Sequence, residues 1–281
     1  MKKNVILILT IVLCAFLMLG SVSAASIFDL IGNESNTEND GNTFIVGFNS
    51  EFPPFGYKDD NGNYAGFDLE LAKEVCKRNN WTFTPQPIID WNSKELEINS
   101  NEVDCIWSEF TINGREDDYT WSEAYLNSSP VIVVKKDSNI NSPSDLKGKT
   151  VEVQEGSSAL KTLDENNKTL KDSFKELTEI REYNTGFMDL ESGVCDALIG
   201  DIGTVKYHMA QDPSGNYKIL DEPLSHEYYG VAFKKGNEEL RDQVQKTLDE
   251  MFEDGTVDRI AQNYSDYGIP ENLIYPENSR R

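Results

Sequence analysis

Val103 to Asp118, VDCIWSEFTINGREDD, passes from an apolar run to a polar one. Val103 to Trp107 has the length and composition of a short buried strand. The polar continuation carries Ser108, Glu109, Thr111 and Arg115. An open α/β sheet binds its ligand outside the carboxyl ends of its strands. An arginine in that position offers a planar, two-pronged fork to a carboxylate. A second stretch, Val194 to Asp201 (VCDALIGD), repeats the design. In each, an Asp opens the apolar run and a carboxylate follows five residues later, Asp104 to Glu109 and Asp196 to Asp201. Two such strand ends predict two lobes facing one cleft. Asp104 and Asp196 themselves read as turn or cap residues, and Trp107 as core.

The surrounding composition narrows what such a cleft serves. The 281 residues suffice for one large or two small domains, and 38% hydrophobic with 10% aromatic residues suits a soluble globular chain. A net charge of −23 argues against nucleic-acid binding and against docking on anionic lipid. The surplus carboxylates read as a solvated surface. Residues 1–25 read as a secretion signal, with Lys2 and Lys3, an apolar core from Val5 to Gly20, and small residues around Ala24 for cleavage. An uncleaved anchor is the alternative, although the apolar core is short for a membrane span. Cys14 lacks the small residue that a lipoprotein signal places before its cysteine. Residues 26–43 are rich in Asn, Glu, Ser, Thr and Gly, and read as a flexible linker.

Cys76, Cys105 and Cys195 remain in the mature chain, so at least one thiol is free. Cys76 and Cys105 could bridge, but both lie on apolar runs, which favours buried free thiols. His208 and His226 are isolated, and no cluster has metal-ligand spacing, so neither a metal nor a cofactor is expected. Asn33, Asn127, Asn167 and Asn263 fit the glycosylation sequon, a permissive signal.

Taken in order, the chain alternates strand and helix, which means α/β. Strands are expected at 43–48, 81–85, 103–107, 129–135, 150–153, 178–183, 194–201, 217–220 and 229–234. Helices are expected after Gly66 with Asp68 as N-cap, weakly at 93–98, then at 159–170, 186–192 with Gly193 as its stop, 204–210, 237–252 and 256–264. The helix at 237–252 is strongly amphipathic, with Leu240, Val244, Leu248 and Met251 recurring at three and four. Gly156-Ser-Ser158 precedes the helix at 159, where free amides and the positive dipole end can hold an anion.

These pieces resemble, in order, an extracellular solute-binding protein of the polar amino-acid family (family 3 type), the receptor subunit of an ABC importer. The resemblance covers roughly residues 44–270. It rests on PPFGYKDDNGNYAGFDLELAKEV, the Asp90-Trp91 pair, VDCIWSEFTINGRED, DLKGKTVEVQEGSSA, VCDALIGD, YGVAFKKGN and FEDGTVDRIAQNY. It implies an α/β, two-lobed periplasmic-binding-protein-like (type II) fold, two open sheets with flanking helices joined by two crossing strands. The lobes would be 44–128 with 233–281, and 129–232. Arg115 would hold an α-carboxylate with the amides of Ser157 and Ser158. Asp201 would take the α-ammonium with Thr111 and a carbonyl near Glu109. Phe52 and Trp91 would sandwich the side chain, and Asn49, Ser108, Glu109 and Gln154 would set selectivity.

A buried zwitterion needs both charges paired, because desolvation costs several kcal/mol per ion, and this set supplies both signs. Two features depart from the family pattern. The loop from Thr111 to Arg115 is one residue short, which could shift the angle at which Arg115 enters. Glu109 stands where Gly or Ser is usual, which favours a cationic ligand, whereas Asn49 replaces an Asp and favours a neutral one. A neutral polar amino acid is the leading expectation, a basic one the alternative. The partners would be a free amino acid and the permease subunits, with the receptor monomeric and outside the cytoplasmic membrane, cleaved or tethered through its signal. A secreted dehydratase on the same scaffold is the competing enzyme reading. It would need a poised carboxylate or His, and only Glu109 offers itself. A sensor ectodomain working through a separate protein is the third reading.

Overall fold

A computed structural model describes residues 42–212 and 214–276. The secretion signal, nearly all of the linker and the Asn33 sequon lie outside the described residues. The strands in chain order begin with β1 (Thr43–Phe48), β2 (Glu51–Phe52), β3 (Gly56–Lys58), β4 (Tyr64–Ala65) and β5 (Thr82–Pro87). Next come β6 (Cys105–Ile106), β7 (Thr120–Trp121), β8 (Leu126–Ser128), β9 (Pro130–Lys135) and β10 (Thr150–Gln154). Last are β11 (Glu176–Ile180), β12 (Ala197–Asp201), β13 (Tyr217–Ile219), β14 (Glu227–Tyr229) and β15 (Ala232–Phe233). The helices are α1 (Phe67–Asn79), α2 (Lys94–Asn99), α3 (Ser158–Glu165), α4 (Lys168–Lys171), α5 (Tyr183–Ser192), α6 (Ile202–Gln211), α7 (Glu238–Glu253) and α8 (Thr256–Gln262).

Two five-stranded sheets share one topology. The first runs β5-β1-β6-β15-β7 and the second β11-β10-β12-β9-β13. In each, the first three strands are parallel and the last two pair antiparallel. The two repeated stretches therefore occupy the same place, as the third strands β6 and β12. Their leading carboxylates do the same work. Asp104 accepts from the Ile45 amide at 2.7 Å, and Asp196 accepts from the Thr150 amide at 3.0 Å. Each ties the start of its strand to the neighbouring parallel strand, which also satisfies a backbone donor that the ladder leaves open.

β8 and β14 pair antiparallel, with Glu227 opposite Ser128 and Tyr229 opposite Leu126, and carry the chain between the sheets. β9 follows β8 into the second sheet, and β15 follows β14 into the first. The sequence run 229–234 is therefore two strands in two sheets, broken at Gly230. A side chain at Gly230 would meet Ile112 at 2.8 Å.

Several boundaries differ from those read in the sequence. The strand expected at 178–183 ends at Ile180, and Tyr183 starts α5 instead. The helix expected at 159–170 stops at Glu165 and resumes briefly as α4. β6 is only two residues long, because it pairs β1 solely at Val46 and Gly47. Asp68 does not cap α1; Gly66 stands at the cap with φ 131°, and Asp68 lies buried in the first turn. Cys76, Cys105 and Cys195 are free and buried. Among the described residues, no helix is long and apolar enough to cross a membrane.

The amphipathic face of α7 packs Val244, Leu248 and Met251 into a core shared with α1 (Leu71, Val75) and β1 (Phe44, Val46). Trp107 is fully buried in this core. The second sheet centres on Ile132, Val134, Val151, Val153 and Ile199.

Candidate functional site

A narrow cleft opens at the carboxyl ends of β1, β6 and β10, between the two sheets. Asn49, Phe52, Trp91, Ser108, Glu109, Thr111, Arg115, Gln154, Ser157 and Ser158 all line it, together with Phe110 and Gly156. Asp201 is the one candidate that does not. It is the N-cap of α6, and its Oδ1 accepts from the amides of Gly203 at 2.6 Å and Thr204 at 3.2 Å. Its Oδ2 accepts from the hydroxyls of Ser128 and Tyr229.

The arginine loop is built from one wall of the hinge. Thr111 forms an antiparallel bridge with Tyr229, and the Ile112 amide donates to the Tyr228 carbonyl at 2.9 Å. A tight turn follows, in which Gly114 has φ 74° and the Arg115 amide donates to the Ile112 carbonyl at 2.8 Å. The guanidinium folds back over the Phe110 ring, 5.0 Å from its centroid, and Nη1 donates to the Thr111 carbonyl at 3.2 Å. Trp121 Nε1 donates to the Arg115 carbonyl at 2.9 Å, so it braces the loop. Among the described residues, no carboxylate lies within 4.0 Å of the Arg115 guanidinium. Its outward donors therefore remain available to a bound anion.

On the opposite wall, Ser157 caps α3, its Oγ accepting from the Leu160 amide at 3.2 Å. The first amides of such a helix have no intrahelical acceptor. Gln154 donates from Nε2 to the Arg181 carbonyl at 3.1 Å. Asn49 turns inward on its own loop, its Oδ1 accepting from the Glu51 amide at 3.0 Å. The aromatic walls are fixed edge to face, Trp91 on Phe110 at 5.7 Å and Phe52 on Tyr183 at 5.3 Å. Lys94 stands over Trp91 at 5.5 Å and pairs with Glu95 at 3.3 Å.

Carboxylates dominate the floor. Glu109 is 8% exposed and held at φ 51°, the left-handed region where Gly fits without strain. Its amide donates to Asp68 Oδ2, and Asp68 Oδ1 accepts from the Tyr125 hydroxyl at 2.7 Å. Buried Asp68 thus anchors the strained turn. Glu109 Oε1 lies 3.1 Å from the Tyr229 hydroxyl oxygen, whose one hydrogen is directed at the nearer Asp201 Oδ2. Its Oε2 is buried with no hydrogen-bond partner among the described residues. Glu227, 3% exposed, accepts from Thr111 Oγ1 at 2.7 Å and Ser158 Oγ at 2.8 Å.

Burial, opposed by the Tyr125 hydroxyl and the Glu109 amide, pushes Asp68 up to about 7. Burial, reinforced by the charges of Asp201 and Asp68, pushes Glu109 well above the usual carboxylate range. Asp201 and Glu227 are raised by burial against the hydrogen bonds they accept. Of these four acids Glu109 lines the cleft, and the Arg115 charge acts on Glu227.

Glu227, Tyr229 and Phe110 were not singled out in the sequence, Asp68 was read there only as a cap, and Gly156 only as part of the Gly-Ser-Ser turn. Glu227 opens the run EYYG just before the YGVAF piece, and nothing local separates it from a surface acid. Neither histidine lines the cleft: His208 stacks on Phe187 at 4.8 Å, and His226 Nδ1 lies 3.3 Å from Ser129 Oγ.

Residues 44–267 match the family model described as bacterial extracellular solute-binding proteins, family 3. The arginine-binding extracellular protein ArtP of Bacillus subtilis is 30% identical over 235 residues, covering 83% of this chain and 89% of ArtP. A histidine-bound substrate-binding protein of an ABC uptake transporter from Streptococcus pneumoniae superposes with a TM-score of 0.76 at 29% identity, covering 80% of this chain and 92% of that one. An ancestral arginine-binding protein bound to arginine gives 0.74 at 35% identity, covering 79% and 98%.

Proposed function

We propose, on the premise that the chain belongs to the bacterial extracellular solute-binding proteins of family 3, that it captures a free amino acid with a cationic side chain and hands it to an ABC permease. Proteins of this family are extracellular or periplasmic and bind rather than transform their solutes. In this reading residues 44–128 and 233–281 form one lobe and 129–232 the other. The receptor acts as a monomer outside the cytoplasmic membrane, released by signal cleavage or tethered by it.

Arg115 and the first amides of α3 take the α-carboxylate, and Phe52 and Trp91 flank the side chain. Asp201, through its shell of hydroxyls, serves the α-ammonium end, with Thr111 beside it. The observation that carries the cationic class is Glu109 Oε2, a buried carboxylate oxygen at the cleft wall without a donor. A zwitterion cancels its own charge against Arg115 and one acid. Glu109 is then left over, and a guanidinium or ammonium on the side chain would pair it. The relatives whose names record arginine or histidine are consistent with this class.

Asn49 favoured a neutral ligand while its side chain was free. Its carbonyl is engaged by the Glu51 amide, which weakens that argument. The neutral polar reading survives as a second one on Gln154, a side-chain amide among the cleft-lining residues.

Thermal unfolding against each of the twenty amino acids tests the proposal. A specific ligand raises the midpoint with the logarithm of its concentration. Arginine, lysine or ornithine should give the largest shift. A larger shift with glutamine than with any of these would overturn the cationic class. No shift with any amino acid would overturn the receptor reading.

A further inference from the structure

We infer that Glu227 is a positioning residue that links lobe closure to ligand capture, through the two hydroxyls that its single oxygen Oε2 holds across the cleft. The inference rests on the receptor reading above. Thr111 and Ser158 come from opposite walls of the cleft, one from the arginine loop and one from the first turn of α3. Glu227 lies on neither wall. It sits on the crossing strand β14, opposite Ser128 of β8. Its Oε2 accepts from Thr111 at 2.7 Å and from Ser158 at 2.8 Å, and its Oε1 lies 3.4 Å from Ser225 Oγ.

The two contacts respond differently to opening. Thr111 is bound to the hinge by backbone, through its bridge with Tyr229 and the Ile112 amide on the Tyr228 carbonyl. It stays beside Glu227 when the lobes part. Ser158 rides on α3, which follows β10 in the second sheet, and reaches the hinge carboxylate by a side chain. Opening about the crossing strands, the usual hinge motion of two-lobed binders, therefore breaks the Ser158 contact first. A hydrogen bond that exists only when the cleft is closed shifts the open–closed balance toward closure.

The same geometry sets the polarity of the cleft. A hydroxyl has one hydrogen. Thr111 and Ser158 both direct theirs at Glu227, so toward the ligand they present lone pairs only. Thr111 is thereby made an acceptor, suited to an ammonium. Ser158 is kept from donating to the ligand carboxylate through its side chain, which leaves that role to backbone amides and Arg115. The groups around Glu227 are Arg115, whose charge favours the ionised form, and Asp201, whose charge opposes it.

The test uses the full mature chain with one fluorophore on each lobe, and arginine as probe, or glutamine if that binds more tightly. Glu227→Ala, Glu227→Gln and Ser158→Ala are compared for ligand-free inter-lobe distance and for the release rate of the probe. Ser158→Ala leaves Glu227 in place and keeps the test intact should Glu227→Ala not fold. The expected result is a ligand-free distribution shifted to longer distance. Release should be roughly tenfold to a hundredfold faster, the scale of one charge-assisted hydrogen bond. Ser158→Ala should add little in a Glu227→Ala background, since both changes remove the same contact. Unchanged distances, or strictly additive effects, would overturn the inference while the unmodified protein still bound its amino acid. Failure of the unmodified protein to bind would instead overturn the receptor reading.

Discussion

Replacing Glu109 by Gln separates charge from shape at the residue on which the proposed ligand class rests. Gln keeps the side-chain length and one carbonyl oxygen beside the Tyr229 hydroxyl. It also keeps the backbone amide that donates to Asp68. Burial raises the Glu109 carboxyl well above its usual range, which favours its neutral form. Gln then resembles the resident form, and the ligand-free unfolding midpoint should hardly move. Binding is different, because a cationic side chain pairs with the ionised form. A hydrogen bond to a charged group is worth about 1.5–3 kcal/mol. Arginine affinity should therefore fall roughly tenfold to 150-fold, while weak glutamine binding should be nearly unchanged.

The pairing also requires Glu109 to give up its proton. Arginine affinity should therefore fall as pH drops below the raised value, and calorimetry in buffers of different ionisation enthalpy should record proton release. Both effects should vanish in Glu109→Gln. Titration calorimetry with arginine and glutamine on both proteins settles the matter. Equal losses for the two ligands would mean that Glu109 meets the α-ammonium common to both, and the cationic assignment would be wrong.

Asp201→Ala should cost stability as well as binding. It removes the α6 cap, about 1 kcal/mol, and leaves the Ser128 hydroxyl without its acceptor, about 1–3 kcal/mol, while the Tyr229 hydroxyl can turn to Glu109 Oε1. Urea unfolding as cooperative and as late as in the parent would refute the hub role. The ligand-free protein should also gain stability on mild acidification. Asp68 and Glu152 are each raised to about 7 from ordinary values of 3.8 and 4.5. The folded state thus holds more protons than the unfolded chain across that window, and stability falls as pH rises through it. The midpoint should be higher at about pH 5 than at about pH 8, and a steady decline on acidification would refute the burial argument. Gly156→Ala should impair closure. Gly156 has φ 62°, and an added Cβ would lie 2.7 Å from Asn92 Oδ1 on the opposite wall. Strain of about 1 kcal/mol or more predicts roughly tenfold weaker binding. Asn92→Ala should restore part of it, and no rescue would place the damage in the backbone alone.

What could be read from the sequence follows from which forces leave local marks. The two third strands were legible because an apolar run bounded by Asp and a carboxylate is a local pattern, and pairing puts both in equivalent places. Arg115, Thr111, Ser157 and Ser158 were legible for a related reason, since each lies just past a strand end, where the topology gathers ligand contacts. β6 was overread because Val103 and Trp107 are apolar for burial, not for pairing. Asp68 was misread as a cap because a Gly-x-Asp at a helix start looks the same whether the acid faces the first amides or the core. Its partner, the strained turn at Glu109, lies 41 residues away.

Glu227 was hidden most completely. Forty-nine acidic residues make any one of them look like solvated surface, and Glu227 meets the Thr111 and Ser158 hydroxyls only in the folded chain. The charge balance of the site is therefore a tertiary property. Asp68, Asp201 and Glu227 each act by charge on Glu109, which lines the cleft with Arg115. Such an excess is stable when empty because protonation relieves it and hydroxyls line it. It becomes a binding determinant when a cation arrives, since the ligand then supplies the charge that the protein leaves out. Selectivity on this account resides in the surplus acid rather than in the arginine, because every amino acid carries the carboxylate that Arg115 would hold and only some carry a second positive group for Glu109.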